Sequence, residues 1–183
     1  EPYQEDVSDL PLVEQPPPPG NLLSEKTLPE LGVTEWVLSN GVRVVLKPTD
    51  FKNDEVRFTA FSPGGHSLVS DKDYIAATTA AAVVSESGLG TLSQIQLGEK
   101  LAGKAVGVSS GIDGLGERVS GNASPEDLET MFQLIYLTFT APRADSTAFK
   151  AFQSRVRGFL ENRGARPETA FSDTLSTTLL QYH

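Results

Sequence analysis

The chain has no cysteine among its 183 residues and only two histidines, His66 and His183. Without cysteine there are no disulfides, no thiolate nucleophiles and no cysteine–zinc sites. Long hydrophobic runs are missing as well. The most apolar stretch, Ile75 to Val84, is alanine-rich and far short of the roughly 20 apolar residues of a membrane-crossing helix, so no membrane span is expected. Up to Glu25 there is no basic residue, and Glu1, Glu5, Asp6, Asp9, Glu14 and Glu25 stand unopposed. The remainder holds 18 acids against 15 bases, so only −3 of the formal −9 falls on it. A chain with a pI near 4.7 and no concentrated basic face is not expected to bind nucleic acid.

What is present divides the chain. Six of the 12 prolines, Pro2, Pro11 and Pro16 to Pro19, fall in the first twenty residues. An acidic, proline-rich stretch buries too little apolar surface to offset its ordering entropy, and the four consecutive prolines form a stiff polyproline II spacer. Residues 1–30 are therefore expected to be a leader or linker, and residues 31–183 one domain. The sequence neither opens on Met nor starts with a charged-then-apolar segment, so no signal peptide is expected within it.

Structure is expected to begin near Thr34. Trp36-Val37-Leu38 and Val42 to Leu46 flank Asn40-Gly41, a hairpin signal because both residues tolerate positive φ. Val56, Phe58 and Ala60 alternate in a third strand that stops at Pro63-Gly64-Gly65. The period then changes. Asp73 opens a helix from Tyr74 to Ser87, with Gly88 as its stop. Ser93 and Gln96 have capping-box spacing for a helix from Gln94 to Leu101. Ala105 to Ser110 and Arg118 to Asn122 read as strands joined by the glycine-rich Gly111 to Gly116. Ser124-Pro125-Glu126 reads as a helix start, another helix follows Asp145, and a last one starts after Pro167 and runs to His183. The pattern predicts an α+β fold, an antiparallel-rich sheet with helices packed on one face.

Local chemistry is sparse. His66 sits in a Gly-Gly-His-Ser turn with no acid next to it, which suits an exposed loop histidine better than a metal ligand. His183 is terminal. Ser87 in Ser85-Glu86-Ser87-Gly88-Leu89-Gly90 lacks the glycine two residues before it that a nucleophile elbow needs. The same glycines follow a helix, not a strand, and lack the Lys-Ser/Thr of a phosphate loop. Lys150, Arg155, Arg157, Arg163 and Arg166 give one helix a basic side, read as solvated surface or, alternatively, as a dock for an acidic partner. No catalytic, cofactor-binding or metal-binding residue is assigned, and no cofactor is expected in this segment.

Thr34-Glu35-Trp36-Val37-Leu38-Ser39-Asn40-Gly41-Val42-Arg43-Val44-Val45-Leu46-Lys47-Pro48 resembles the opening hairpin of insulinase-like zinc metallopeptidase domains, the pitrilysin and processing-peptidase group. The glycine-rich strand pair Gly107 to Gly121 and the Ser124-Pro125-Glu126-Asp127-Leu128 helix start extend the resemblance. It implies a metallopeptidase-like (LuxS/insulinase-type) domain. Catalytic members carry an inverted H-x-x-E-H zinc motif on the helix after the third strand, where two histidines four apart share one face and the Glu activates water. Here that helix, Tyr74 to Ser87, has no histidine, and its only carboxylate is Glu86. Glu161 stands alone in the later helix where the family's third ligand is sought. The resemblance thus implies a non-catalytic domain that helps form a peptide chamber and packs against the catalytic half of the same polypeptide. Peptide is then the substrate and zinc is expected in that other half. The leader becomes the linker between halves, the domain lacks its last elements at the C-terminal end, and the location is periplasmic. The alternatives are a structural or assembly subunit of the same fold with no proteolytic role, or an independent hydrolase with an unrecognised site.

Overall fold

The computed structural model describes residues 11–180. Two three-stranded antiparallel sheets and five helices make up an α+β fold. The first sheet has the order β1-β2-β3, from strands Leu22–Leu28, Val33–Leu38 and Arg43–Leu46. Asn40-Gly41 turns β2 into β3 as expected: the Asn40 carboxamide oxygen accepts the Val42 amide at 3.1 Å, and the Leu38 amide reaches the Val42 carbonyl at 2.9 Å. Strand β1 is a correction, because it lies inside the stretch expected to be leader, ahead of the expected start near Thr34. Most of its residues are exposed, so it carries no buried-face alternation to read. Pairing with β2 from Leu28↔Val33 to Leu22↔Leu38 holds it instead, with a bond of 2.9 Å from the Trp36 indole to Glu25 across the pair.

The second sheet has the order β4-β6-β5, with Gly116–Ala123 (β6) between Val56–Pro63 (β4) and Val106–Ile112 (β5). The antiparallel strands thus belong to two sheets, and the second is covered on one face by two helices, the first and third of the chain. Helices α1 (Tyr74–Ser87) and α2 (Gln94–Lys100) connect β4 to β5, and α2 carries the expected capping box between Ser93 and Gln96. The β5–β6 hairpin penetrates further into the glycine-rich segment than its composition suggests. Its tip is closed by the Asp113 carboxylate, which accepts the amides of Leu115 at 3.0 Å and Gly116 at 2.8 Å.

Register divides the side chains of this sheet cleanly. Phe58, Val108 and Gly121 share a row, as do Ala60, Ser110 and Val119, on the face covered by α1 and α3 (Leu128–Thr140). Val119, Ala123, Met131, Leu134 and Leu97 are the buried apolar core. Gly121 is needed there, since a Cβ would come within 3.0 Å of the Met131 sulfur. Alternate residues Thr59, Ser109 and Ser120 line the opposite, polar face, as in antiparallel sheets with one wet side.

Helix α3 starts a turn later than Ser124-Pro125-Glu126 suggests. The Ser124 hydroxyl accepts the Asp127 amide at 3.1 Å, while the Asp127 carboxylate turns to Lys104 at 3.0 Å and the Ala105 amide at 2.8 Å, tying the helix start to β5. Asp145 caps α4 (Ser146–Arg163) through the amides of Thr147 at 2.8 Å and Ala148 at 3.1 Å. Pro167 opens α5 (Pro167–Leu179), which an Arg163–Asp173 ion pair joins to α4. The expected continuation of this last helix to His183 lies partly outside the described residues.

The turn after β4 is latched to the β5–β6 tip. Amides of Gly64, His66 and Ser67 donate to the carbonyls of Leu115, Asp113 and Gly114 at 2.9–3.0 Å, and the Gly65 amide donates to Glu117 at 3.0 Å. Gly65 has φ +83°, and a Cβ there would lie 2.3 Å from the Asp113 carbonyl oxygen. Gly65→Ala is therefore expected to destabilise the fold by about 2–3 kcal/mol, measured as a lower urea midpoint at unchanged slope. The two helix-start carboxylates set a second expectation. Asp127 is held below the ordinary value of 3.8 chiefly by the Lys104 hydrogen bond and then the Ala105 amide. Asp145 is held low by the Ala148 and Thr147 amides and by Arg143. A depressed folded pKa gives stability that is present above the unfolded value and lost as pH falls through the folded one. Thermal midpoints should accordingly fall below about pH 4, and Asp127→Asn and Asp145→Asn should each flatten that acid limb.

Candidate functional site

Nine of the 14 residues of helix α1 are alanine, threonine or valine, and it contacts β5 and α4. Ile75, Ala76, Thr79, Ala80 and Val83 share one helical face. Opposite them α4 presents Phe149, Phe152, Val156 and Leu160, and the two faces bound an open groove of about 810 Å³ with Arg157 and Glu161 on its wall. Within the groove Phe149 is still 43% and Leu160 56% exposed.

This groove brings together the helix that would carry the inverted zinc motif and Glu161, the residue at the expected third-ligand position. The donors there do not fit zinc, which takes three or four nitrogen, sulfur or carboxylate ligands. The α1 face offers alkyl groups and the Thr79 hydroxyl, and that hydroxyl donates to the Ile75 carbonyl at 2.7 Å. Glu86 lies at the far end of α1 in an ion pair with Arg155 of α4, whose guanidinium sits 5.6 Å from the Phe152 ring centre. Among the described residues no three His, Cys, Asp or Glu side chains are grouped to hold a metal. Chemically the groove can accept apolar groups, and it offers no acid–base pair.

The other sequence candidates are dispersed. His66 stacks edge-on against Tyr74, ring centres 5.2 Å apart, in the latched turn. His183 lies outside the described residues. Ser87 is buried at the end of α1 and donates its hydroxyl to the Val83 carbonyl at 2.8 Å, an ordinary intrahelical bond. Of the five basic residues, Arg155 and Arg163 are spent in ion pairs to Glu86 and Asp173, which weakens the case for an acidic partner on that side. The polar face around Thr59, Ser109 and Ser120 was not singled out by the sequence reading. Arg57 and Phe61 share that face with Thr59, and Ser109 and Ser110 lie on opposite faces, so it becomes legible only once the register is known.

No protein-family model matches the chain. A zinc protease PQQL-like protein of Arabidopsis thaliana is 34% identical over 139 residues, 76% of this chain and 12% of that protein. The crystal structure of the periplasmic protease PqqL from Escherichia coli superposes with a TM-score of 0.79 at 27% identity, over 96% of this chain and 19% of that one. The ferredoxin protease FusC, solved in complex with Arabidopsis ferredoxin, shares the fold with a TM-score of 0.80 at 23% identity, over 97% of this chain and 19% of that one. The chain therefore spans between 12% and 19% of the length of these proteins. Hairpin, helix order and relatives agree: this chain is a segment of the insulinase-like zinc protease family.

Proposed function

We propose that this segment is a non-catalytic domain of a zinc metalloendopeptidase. It helps enclose the chamber that receives the peptide substrate and packs against a catalytic half in the same polypeptide, where the zinc resides. The observation that carries this reading is the α1–α4 groove. At the place where catalytic relatives need histidines, α1 offers Ala76, Thr79 and Ala80, and Glu161 faces alkyl and aromatic groups. Glu86, the other carboxylate of interest, is neutralised by Arg155. The polar sheet face of Thr59, Ser109 and Ser120 suits a wet chamber wall that a peptide slides over without being held by one pocket. The acidic, proline-rich stretch up to Gly20 joins the domain to the catalytic half in this reading. A periplasmic location is part of the same proposal and is supported by the PqqL protease of Escherichia coli, itself periplasmic.

The test uses the whole polypeptide that carries this segment, assayed on an unstructured peptide. Its activity should be abolished by a chelator, and Glu161→Ala and Glu86→Ala should leave kcat within about twofold. A loss of about 100-fold or more on either substitution, of the size expected when a catalytic group is removed, would contradict the non-catalytic assignment.

A further inference from the structure

The sheet face turned away from the helices has an uneven distribution of charge. Its rows, set by the register, are Arg57–Asn122–Gly107, Thr59–Ser120–Ser109 and Phe61–Arg118–Gly111. No acid stands in any of the three, in a chain whose formal charge is −9. Two shallow depressions lie along this face, one of about 530 Å³ reaching Arg57 and one of about 240 Å³ reaching Arg118. They share Ser109 and Ser120 and so make one polar trough.

The two arginines are not equivalent. Arg57 is paired with Glu55 at 3.2 Å, and Glu55 also takes Lys52 at 3.5 Å. Arg118 has no carboxylate partner among the described residues. Its guanidinium lies 5.9 Å from the ring centre of Phe61, its neighbour in the row. Gly111 stands on the other side, and a Cβ added there would meet no atom within 4 Å. The space beside the guanidinium is therefore open. Asp113, at the same end of the trough, is turned to the amides of Leu115 and Gly116. A guanidinium held over an aromatic ring keeps its edge donors free for a planar acceptor.

We infer that this trough takes an extended peptide carrying an acidic side chain, whose carboxylate is received by Arg118 over a floor of Ser109 and Ser120. The inference rests on the proposed reading of this face as a chamber wall, and it names the substrate class that the wall favours. Glu55 sets the direction, since a carboxylate laid at the opposite end would meet its charge. Because the contact is exposed, the preference is modest, about threefold to fivefold, at the upper end for a solvent-exposed ion pair.

The test uses the whole polypeptide with a chelator present, so that peptide is bound and not cut. Unstructured peptides, acetylated and amidated at their ends, carry Glu or Gln at one central position, and their Kd values are read by fluorescence anisotropy at low salt. The Glu peptide should bind about threefold to fivefold more tightly. Arg118→Gln should bring the ratio to one by weakening the Glu peptide alone. Ser109→Glu, which sets a carboxylate in the trough floor, should do the same and serves as the second variant if Arg118→Gln disturbs folding. Arg43→Gln removes an equal charge from the first sheet and should leave the ratio unchanged. Equal Kd values for the two peptides, or a preference that survives either trough substitution, would overturn the inference. A preference lost equally in Arg43→Gln would overturn it in favour of overall charge. Tight binding of the Gln peptide once its C-terminus is left free, lost in Arg118→Gln, would overturn it in favour of a terminal carboxylate. Binding is read without cleavage, so activity lost in Glu161→Ala would fail the proposed function and leave this inference standing, whereas equal binding would fail this inference alone.

Discussion

Helix α1 is confined between β5 and α4, and this confinement organises most of the domain. Alanine, threonine and valine make up most of the helix between these neighbours, and the amphipathic signal of an ordinary surface helix is missing. Van der Waals packing of this kind tolerates alanine and valine at close approach. The Glu86–Arg155 ion pair then fixes α4 against the end of α1, and Asp127 fixes α3 against the start of β5. On the α4 side the small residues of α1 leave an open groove, bounded by Phe149, Phe152, Val156 and Leu160.

Much of this was legible in the sequence, and the failures have identifiable causes. Helix α1 was read with its observed limits because Asp73, Gly88 and the change of period are local signals. The Asn40-Gly41 hairpin was legible for the same reason. Strand β1 was not, since most of its residues are exposed and it is held by the ladder with β2 and the Trp36–Glu25 bond. The late start of α3 was hidden because the Asp127 carboxylate is engaged by Lys104 and Ala105, another non-local event. For the site, the lack of histidine in α1 was legible at once. That Glu161 shares a groove with α1, and that the groove is open and apolar, required the packing of α4.

The two faces of the domain differ in kind. One side of the second sheet is covered by helices and holds the core, including Met131 over Gly121. The other displays Thr59, Ser109 and Ser120 beside an exposed Phe61 with Arg118 over its ring. Beyond the core, helices α4 and α5 carry exposed apolar residues, among them Phe159, Phe171 and Leu179.

The central proposal is that the α1–α4 groove, lined on its α1 side by alkyl groups and Thr79, does not bind zinc. Calorimetric titration of the chain with Zn²⁺ at neutral pH addresses it directly. The account predicts no saturable site, only weak heats from scattered surface carboxylates and histidine. A single site per chain with a Kd of about 1 μM or tighter, a binding free energy near −8 kcal/mol, that disappears in Glu161→Ala would contradict it.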